Sequence, residues 1–337
     1  MSLPARRFGG IVLGFGPTLW QTSPARMLAS LFRCCLLILL LCAPSVQAEE
    51  GAARIPLNHR AWVYLDAAGD AELFRFSNPD QLLTEYAFQP TPQGEDSWGY
   101  GQPVFWVLIP LDKLSSGEKW YLEFAYPLLD KLDVWLKFPH SEWLRKPPTG
   151  DQRPWGTREV ESPHFYFQIP QQTTHLLLRL ETHGAMRFPV SLVTESHLQR
   201  TERLQQFFYG LFFGALLVMI FCNGVIYVLA RERSYLFYMA LLVSVTLYQA
   251  AMTGFGYMYL WPGSGYWINE HIQPVTVGLA LWFISLFTRD VLDLERVHPG
   301  LERTLLWMGL TSALLALTGA LLPFRWLIHF TALWPLA

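Results

Sequence analysis

FFYGLFFGALLVMIFCNGVIYVLA, residues 207–230, is the stretch that decides how this chain is built. It contains no Asp, Glu, Lys or Arg, and it exceeds the roughly 20 apolar residues that carry a helix across about 30 Å of hydrocarbon. Apolar blocks recur at 235–259, 271–287 and 305–322, so the spacing predicts four complete transmembrane helices. A last apolar run, 326–337, is too short to cross. It reads as a truncated fifth helix, and the chain is expected to be a fragment or a prematurely ended frame.

The sequence before residue 207 has a different character. Residues 1–48 read as an extension followed by a secretory leader: Arg33, the run CCLLILLL at 34–41, then Val46-Gln47-Ala48 as a small-residue cleavage site. The mature chain then begins near Glu49, and Met27 is a second start position for the leader. Three of the four cysteines, Cys34, Cys35 and Cys42, fall in that leader, and the fourth, Cys222, lies in the first span. Residues 49–194 therefore have to hold together by packing, without disulfides. Cys222 reads as a small packing residue. A net charge of −2, with Lys and Arg spread along the chain, excludes the concentrated positive field that nucleic acid requires.

From residue 49 to 194, short β-rich runs alternate with Pro, Gly, Asn and Asp, the pattern of an all-β antiparallel sandwich. Strands are predicted at 105–109, 120–126, 132–137, 164–169, 175–181 and 190–194. Side chains alternate across a strand. Leu132, Val134 and Leu136 therefore share a core face, opposite Asp133, Trp135 and Lys137. Likewise Leu176, Leu178 and Leu180 oppose His175, Leu177, Arg179 and Glu181.

Most of the many tryptophans in this domain read as core or loop anchors. Two stand out as candidate sugar-stacking rings: Trp135, on a polar strand face, and Trp155, in a Pro/Gly/Arg loop. Asp133 and Arg158 are the candidate hydrogen-bonding partners. Enzymatic constellations are not legible. No pair of carboxylates is placed for glycoside hydrolysis, no serine has a GxSxG context, and His164, His175 and His183 lack metal-ligand spacing, so neither cofactor nor metal is expected.

Residues 195–206 are polar and free of helix breakers, which predicts a stalk that either carries motion to the membrane or merely links. Arg231, Arg233, Arg289, Arg296 and Arg303 fall in two loops that the basic-residue rule assigns to the cytoplasm, whereas 260–270 has no Lys or Arg. In the first span, Gly210 and Gly214 lie one turn apart as a close-packing pair, and Asn223 is expected to hydrogen-bond to a neighbouring helix.

Several motifs together resemble a bacterial family, the seven-transmembrane receptors with diverse intracellular signalling modules, of the type 2 extracellular domain. These are Phe105-Trp106, Trp120-Tyr121-Leu122-Glu123 and Leu132-Asp133-Val134-Trp135, then YGLFFG at 209–214, Asn223, RERSYLFY at 231–238, Gly254 and Tyr259-Leu260-Trp261-Pro262. The resemblance implies a jelly-roll periplasmic domain that binds a small polar or carbohydrate-like ligand, followed by a transmembrane helix bundle in the inner membrane. It also implies signal transduction to a cytoplasmic module or through a homodimer partner. The alternative is the input half of a signalling enzyme such as a diguanylate cyclase or histidine kinase, whose output module this chain does not carry.

Overall fold

The computed structural model describes residues 54–66, 79–91, 97–100, 104–115, 117–263 and 265–322. The leader, the start of the mature chain and the run 326–337 lie outside the described residues. Among the described residues, twelve strands precede the membrane helices: β1 Arg54–Pro56, β2 Trp62–Asp66, β3 Gln89–Pro90, β4 Ser97–Tyr100, β5 Val104–Pro110, β6 Trp120–Phe124, β7 Lys131–Lys137, β8 Trp143–Arg145, β9 Phe165–Ile169, β10 His175–Glu181, β11 Ala185–Arg187 and β12 Val190–Thr194. They form a four-stranded sheet, β1-β12-β6-β9, a six-stranded sheet, β3-β2-β5-β10-β7-β8, and the pair β11-β4. Every pairing is antiparallel.

The alternation expected from the sequence sets the core between the two large sheets. Leu132, Val134, Leu136, Leu176, Leu178 and Leu180 from one sheet meet Trp120, Leu122, Phe124, Phe165 and Phe167 from the other in one buried cluster. Each such side chain contributes roughly 1.5–3 kcal/mol on burial, which is how a domain without disulfides holds together.

The outer face of the six-stranded sheet is also covered. A short helix, α1 (Pro79–Glu85), which the sequence reading did not include, lays the fully buried Leu82 over Val104, Trp106, Trp135 and Leu177 to make a second core. Proline at its first position suits a helix start, where the missing N–H has no partner to lose. Asp80 fixes it in place by accepting hydrogen bonds from Lys137 Nζ and Trp143 Nε1, both at 2.8 Å.

Among the described residues, the membrane half has four long apolar helices: α2 (Glu195–Ala230), α3 (Arg233–Met252), α4 (Gly265–Val291) and α6 (Pro299–Leu321), with the single turn α5 (Leu294–Val297) before the last. The polar stretch 195–206 is continuous helix with the first span. Its inner side is not solvated: Leu198 packs with Tyr166 and Val193 on the outer face of the four-stranded sheet, and the buried Glu202 accepts a 2.6 Å hydrogen bond from Ser162 Oγ. The stalk is thus joined to the sandwich by packing. Phe207, Leu211, Leu217, Phe221 and Val228 are each more than half exposed along α2, a face suited to lipid.

Three readings of the first span change in the structure. A Cβ added to Gly210 or Gly214 meets nothing within 4 Å, so no close helix packing is made at that pair among the described residues. The close approach occurs instead between α4 and α6, where a Cβ on Gly278 would lie 2.6 Å from the backbone of both Ser312 and Ala316. Asn223 bonds to its own helix, donating from Nδ2 to the Met219 carbonyl at 2.8 Å, because that acceptor lies one turn back. Cys222 lies on the exposed side and not in a packed interior.

Candidate ligand site and its junction with the membrane

Strand register assembles the site. Between β10 and its neighbours, Arg179 lies opposite Trp106 on one side and Asp133 on the other. One pair along, Trp135 lies between Leu177 and Arg145. Side chains directly opposite each other on one face sit about 5 Å apart at Cβ and interact. Tryptophans and charged groups of four strands are thereby gathered on one patch.

Asp133, 2% exposed, is the centre of that patch. Arg153 grips it with two donors, Nη1 to Oδ1 at 3.0 Å and Nη2 to Oδ2 at 3.4 Å. Arg145 Nη2 donates to Oδ1 at 3.1 Å, and Arg179 Nη1 stands 3.6 Å from Oδ2. Arg179 also pairs with Glu181 at 2.9 Å, and Lys131 reaches the same carboxylate at 2.7 Å. Burial pushes the Glu181 carboxyl up, but the Lys131 hydrogen bond and the charges of Arg179 and Lys131 hold it below its ordinary range.

Trp135 shares its face with Asp133 and Lys137, as alternation predicts, yet its ring is only 6% exposed. Leu82 and the neighbouring Trp106 ring, 5.8 Å away, cover part of it, and the Arg145 guanidinium lies 5.3 Å above it.

Trp155 and Arg158 lie elsewhere, in the loop after β8. The Arg158 guanidinium is held between the Trp155 ring at 4.3 Å and the Phe165 ring at 4.2 Å, and donates to the carbonyls of Ser162 and Pro163 at 2.8 and 2.7 Å. Burial pushes its pKa down to about 10, with the Asp151 charge opposing. The loop can lie this close because of Gly150, where a Cβ would fall 2.0 Å from the Asp130 carbonyl oxygen.

This loop also meets the connection between α3 and α4. Trp155 makes an edge contact with Tyr257, ring centroids 5.4 Å apart. The Tyr257 hydroxyl donates to the Arg153 carbonyl, and Asn269 Nδ2 donates to the Asp151 carbonyl at 2.7 Å. Gly254, at φ +79°, turns the chain where a Cβ would press on Pro127 and Pro163 at 3.0 and 3.1 Å. The 253–263 connection therefore lies on the side of the sandwich, as the charge bias requires.

The four residues singled out from sequence thus fall into two groups, Asp133 with Trp135 and Trp155 with Arg158. Arg153 joins them, its side chain on Asp133 and its carbonyl on Tyr257. From the sequence, Arg179 lies on the outer face of its strand and Arg153 in the Pro/Gly/Arg loop of Trp155, and neither has an evident role. Arg145 and Tyr257 carried no signal until register and tertiary contact were known.

Asp151 is a second feature of the junction. Its Oδ1 is buried without a hydrogen-bond partner. Burial, then the nearby charge of Asp130, raises its pKa well above the ordinary carboxylate range; Arg158 opposes this and Glu270 adds to it. A folded-state pKa raised above the unfolded value gives stability that is present at low pH and lost as pH rises through the folded pKa. Asp151→Asn, which cannot ionise, is expected to melt above the parent at about pH 8 and to converge with it near pH 4. Thermal midpoints of the two full chains across that range test this, and a gap that does not widen with pH counts against it. Glu123, on the other sheet, works in the opposite sense but is common to both chains. Burial raises its pKa, yet the His164 imidazole 3.7 Å away, the Arg54 charge and the hydrogen bond from the Tyr166 hydroxyl hold it below the ordinary range.

An antiparallel sandwich joined through its loops to the ends of apolar helices long enough to span a bilayer defines a membrane-anchored β-domain. Residues 58–194 match the family described as 7TMR-DISM extracellular 2, and residues 205–336 match 7TM diverse intracellular signalling. The chain belongs to the seven-transmembrane receptors with diverse intracellular signalling modules, as a multi-pass membrane sensor with an extracellular N-terminal domain. Both matches are to sensing and membrane regions, and no catalytic domain is found in the chain. No curated protein matches it.

Proposed function

We propose that this chain is a sensor of the Gram-negative inner membrane whose periplasmic sandwich binds a small, carbohydrate-like ligand and relays the bound state through its helices to a cytoplasmic signalling module or a partner copy. The observation that carries the reading is Arg153. Its guanidinium belongs to the Asp133 cluster and its carbonyl accepts from Tyr257 in the α3–α4 connection, so a shift at the cluster reaches the membrane through one residue. The stalk contact between Glu202 and Ser162 is a second attachment. Asp133 and Trp135 belong to the cluster that would meet the ligand, and Trp155 and Arg158 to the loop between that cluster and Tyr257. The strand order supports a jelly roll: β1-β12-β6-β9 and β5-β10-β7-β8 make the eight-strand, two-sheet pattern, with β2 and β3 added at one edge.

A ligand shifts the receptor only by its preference for one arrangement over the other. The test is a thermal-shift screen of the full chain in nanodiscs against mono- and disaccharides, followed by hydrogen exchange at 253–263 with the best sugar. Binding is expected to change exchange there in the parent. In Tyr257→Phe, which lacks the donating hydroxyl, that change should be largely lost while affinity stays within about threefold, since one neutral hydrogen bond contributes about 0.5–1.5 kcal/mol. No stabilising sugar, or an exchange response identical in both chains, counts against the proposal.

A further inference from the structure

Resting on that reading of the site, we infer that its ligand is acidic: the Arg145–Arg153–Arg179 cluster is built to receive an oxyanion, such as the carboxylate of a uronic acid. The charge balance around Asp133 carries this. Among the described residues, Arg145, Arg153, Arg179 and Lys131 are four cations sharing two carboxylates, Asp133 and Glu181, an excess of two positive charges. Two neighbouring cations are matched singly, Lys137 by Asp80 and Lys146 by Glu159, each at 2.8 Å. Among the described residues these pairs neither add to nor offset the excess around Asp133.

The donors are also in excess. A guanidinium carries five N–H groups in a fixed fork. Arg145 places one hydrogen bond on Asp133 and Arg153 places two, while Arg179 has an ion pair to Glu181 and a 3.6 Å approach to Asp133. Asp133 holds the three forks in place without using up their donors. Arginine forks match carboxylate and phosphate geometry with two parallel bonds. The Arg145 side chain, 50% exposed, is the open end of the cluster.

The rings argue the same way. Arg145 lies over Trp135 at 5.3 Å and Arg179 over Trp106 at 5.9 Å. With guanidiniums across the indole faces, an incoming molecule meets a cation first, and the rings serve as a support that holds the cations by cation–π contact. A neutral sugar would gain little from such a surface.

The experiment uses the full chain in nanodiscs of zwitterionic lipid, titrated calorimetrically with D-galacturonate, D-galactose and inorganic phosphate. Galacturonate is expected to bind at least about tenfold more tightly than galactose, and Arg145→Gln or Arg179→Gln to remove most of that difference, as hydrogen bonds to charged groups are the strong ones. Arg145→Lys keeps the charge but not the fork and should recover only part, which separates recognition from misfolding should Arg145→Gln fold poorly. Equal affinity for galactose and galacturonate, unchanged by the arginine substitutions, would overturn the oxyanion site while sparing the carbohydrate reading. Arginine-dependent phosphate binding with neither sugar bound would keep the oxyanion site and remove the carbohydrate. No binding by any of the three would remove both.

Discussion

Trp135→Ala is expected to lower the stability of the protein by about 3–5 kcal/mol, the cost of truncating a buried tryptophan. The ring is 6% exposed and sits in the cluster sealed by Leu82 of α1, against Trp106. Removing it leaves a cavity beneath Arg145 that neither the sheet nor α1 is free to fill. The alternation of β7 by itself suggests the opposite outcome, a ring on the polar face whose loss weakens ligand binding and leaves the fold intact. Thermal melts of the full chain beside titrations of the folded fraction distinguish the two. A variant that melts within a degree or two of the parent would mean that α1 does not seal this face. Trp155, half-buried in its loop, is the natural comparison, and its truncation should act mainly on the contact with Tyr257.

Asp133→Asn is expected to be the most damaging charge change in the domain. It leaves Arg145, Arg153 and Arg179 facing one another around a neutral amide. Breaking a buried ion pair from one side costs about 3–5 kcal/mol. Arg145 is half exposed, so water screens part of the repulsion and the lower end applies. The double variant Asp133→Asn/Arg145→Gln should recover part of the loss, because it removes one of the uncompensated cations. A double-mutant cycle on thermal stability measures this coupling. Strict additivity would show that Asp133 does not hold the arginines together.

These two residues also mark how far the sequence reaches. Its local patterns had definite structural consequences. Period-two alternation in 175–181 and 132–137 selected the leucines and valine that fill the space between the sheets, and long uncharged runs produced the spanning helices. Both follow from near-neighbour chemistry, since a strand has two faces and a helix in lipid must satisfy its own backbone. The basic residues at 231, 233, 289, 296 and 303 likewise set which loops lie away from the sandwich.

Contacts between distant segments were decided only in three dimensions. Whether the face carrying Trp135 is wet depends on residues 79–85 folding back over it, about fifty positions away along the chain. Arg179 meets Asp133 because β10 pairs with β7 in one particular register, and a slip of one residue would send it to the core face; Arg145 arrives through the β7–β8 pairing and Arg153 from the loop that follows. Among the described residues, close helix packing is made at Gly278 and Gly319 and not at the Gly210/Gly214 pair, since a small residue permits close approach but does not specify the partner. The sequence by itself determined which faces are apolar and which segments cross the membrane, properties local to each element. The tertiary structure alone decided which face is covered and which charges meet, and it joined the Asp133 cluster through Arg153 to Tyr257 at the membrane, because each depends on where the chain returns to itself.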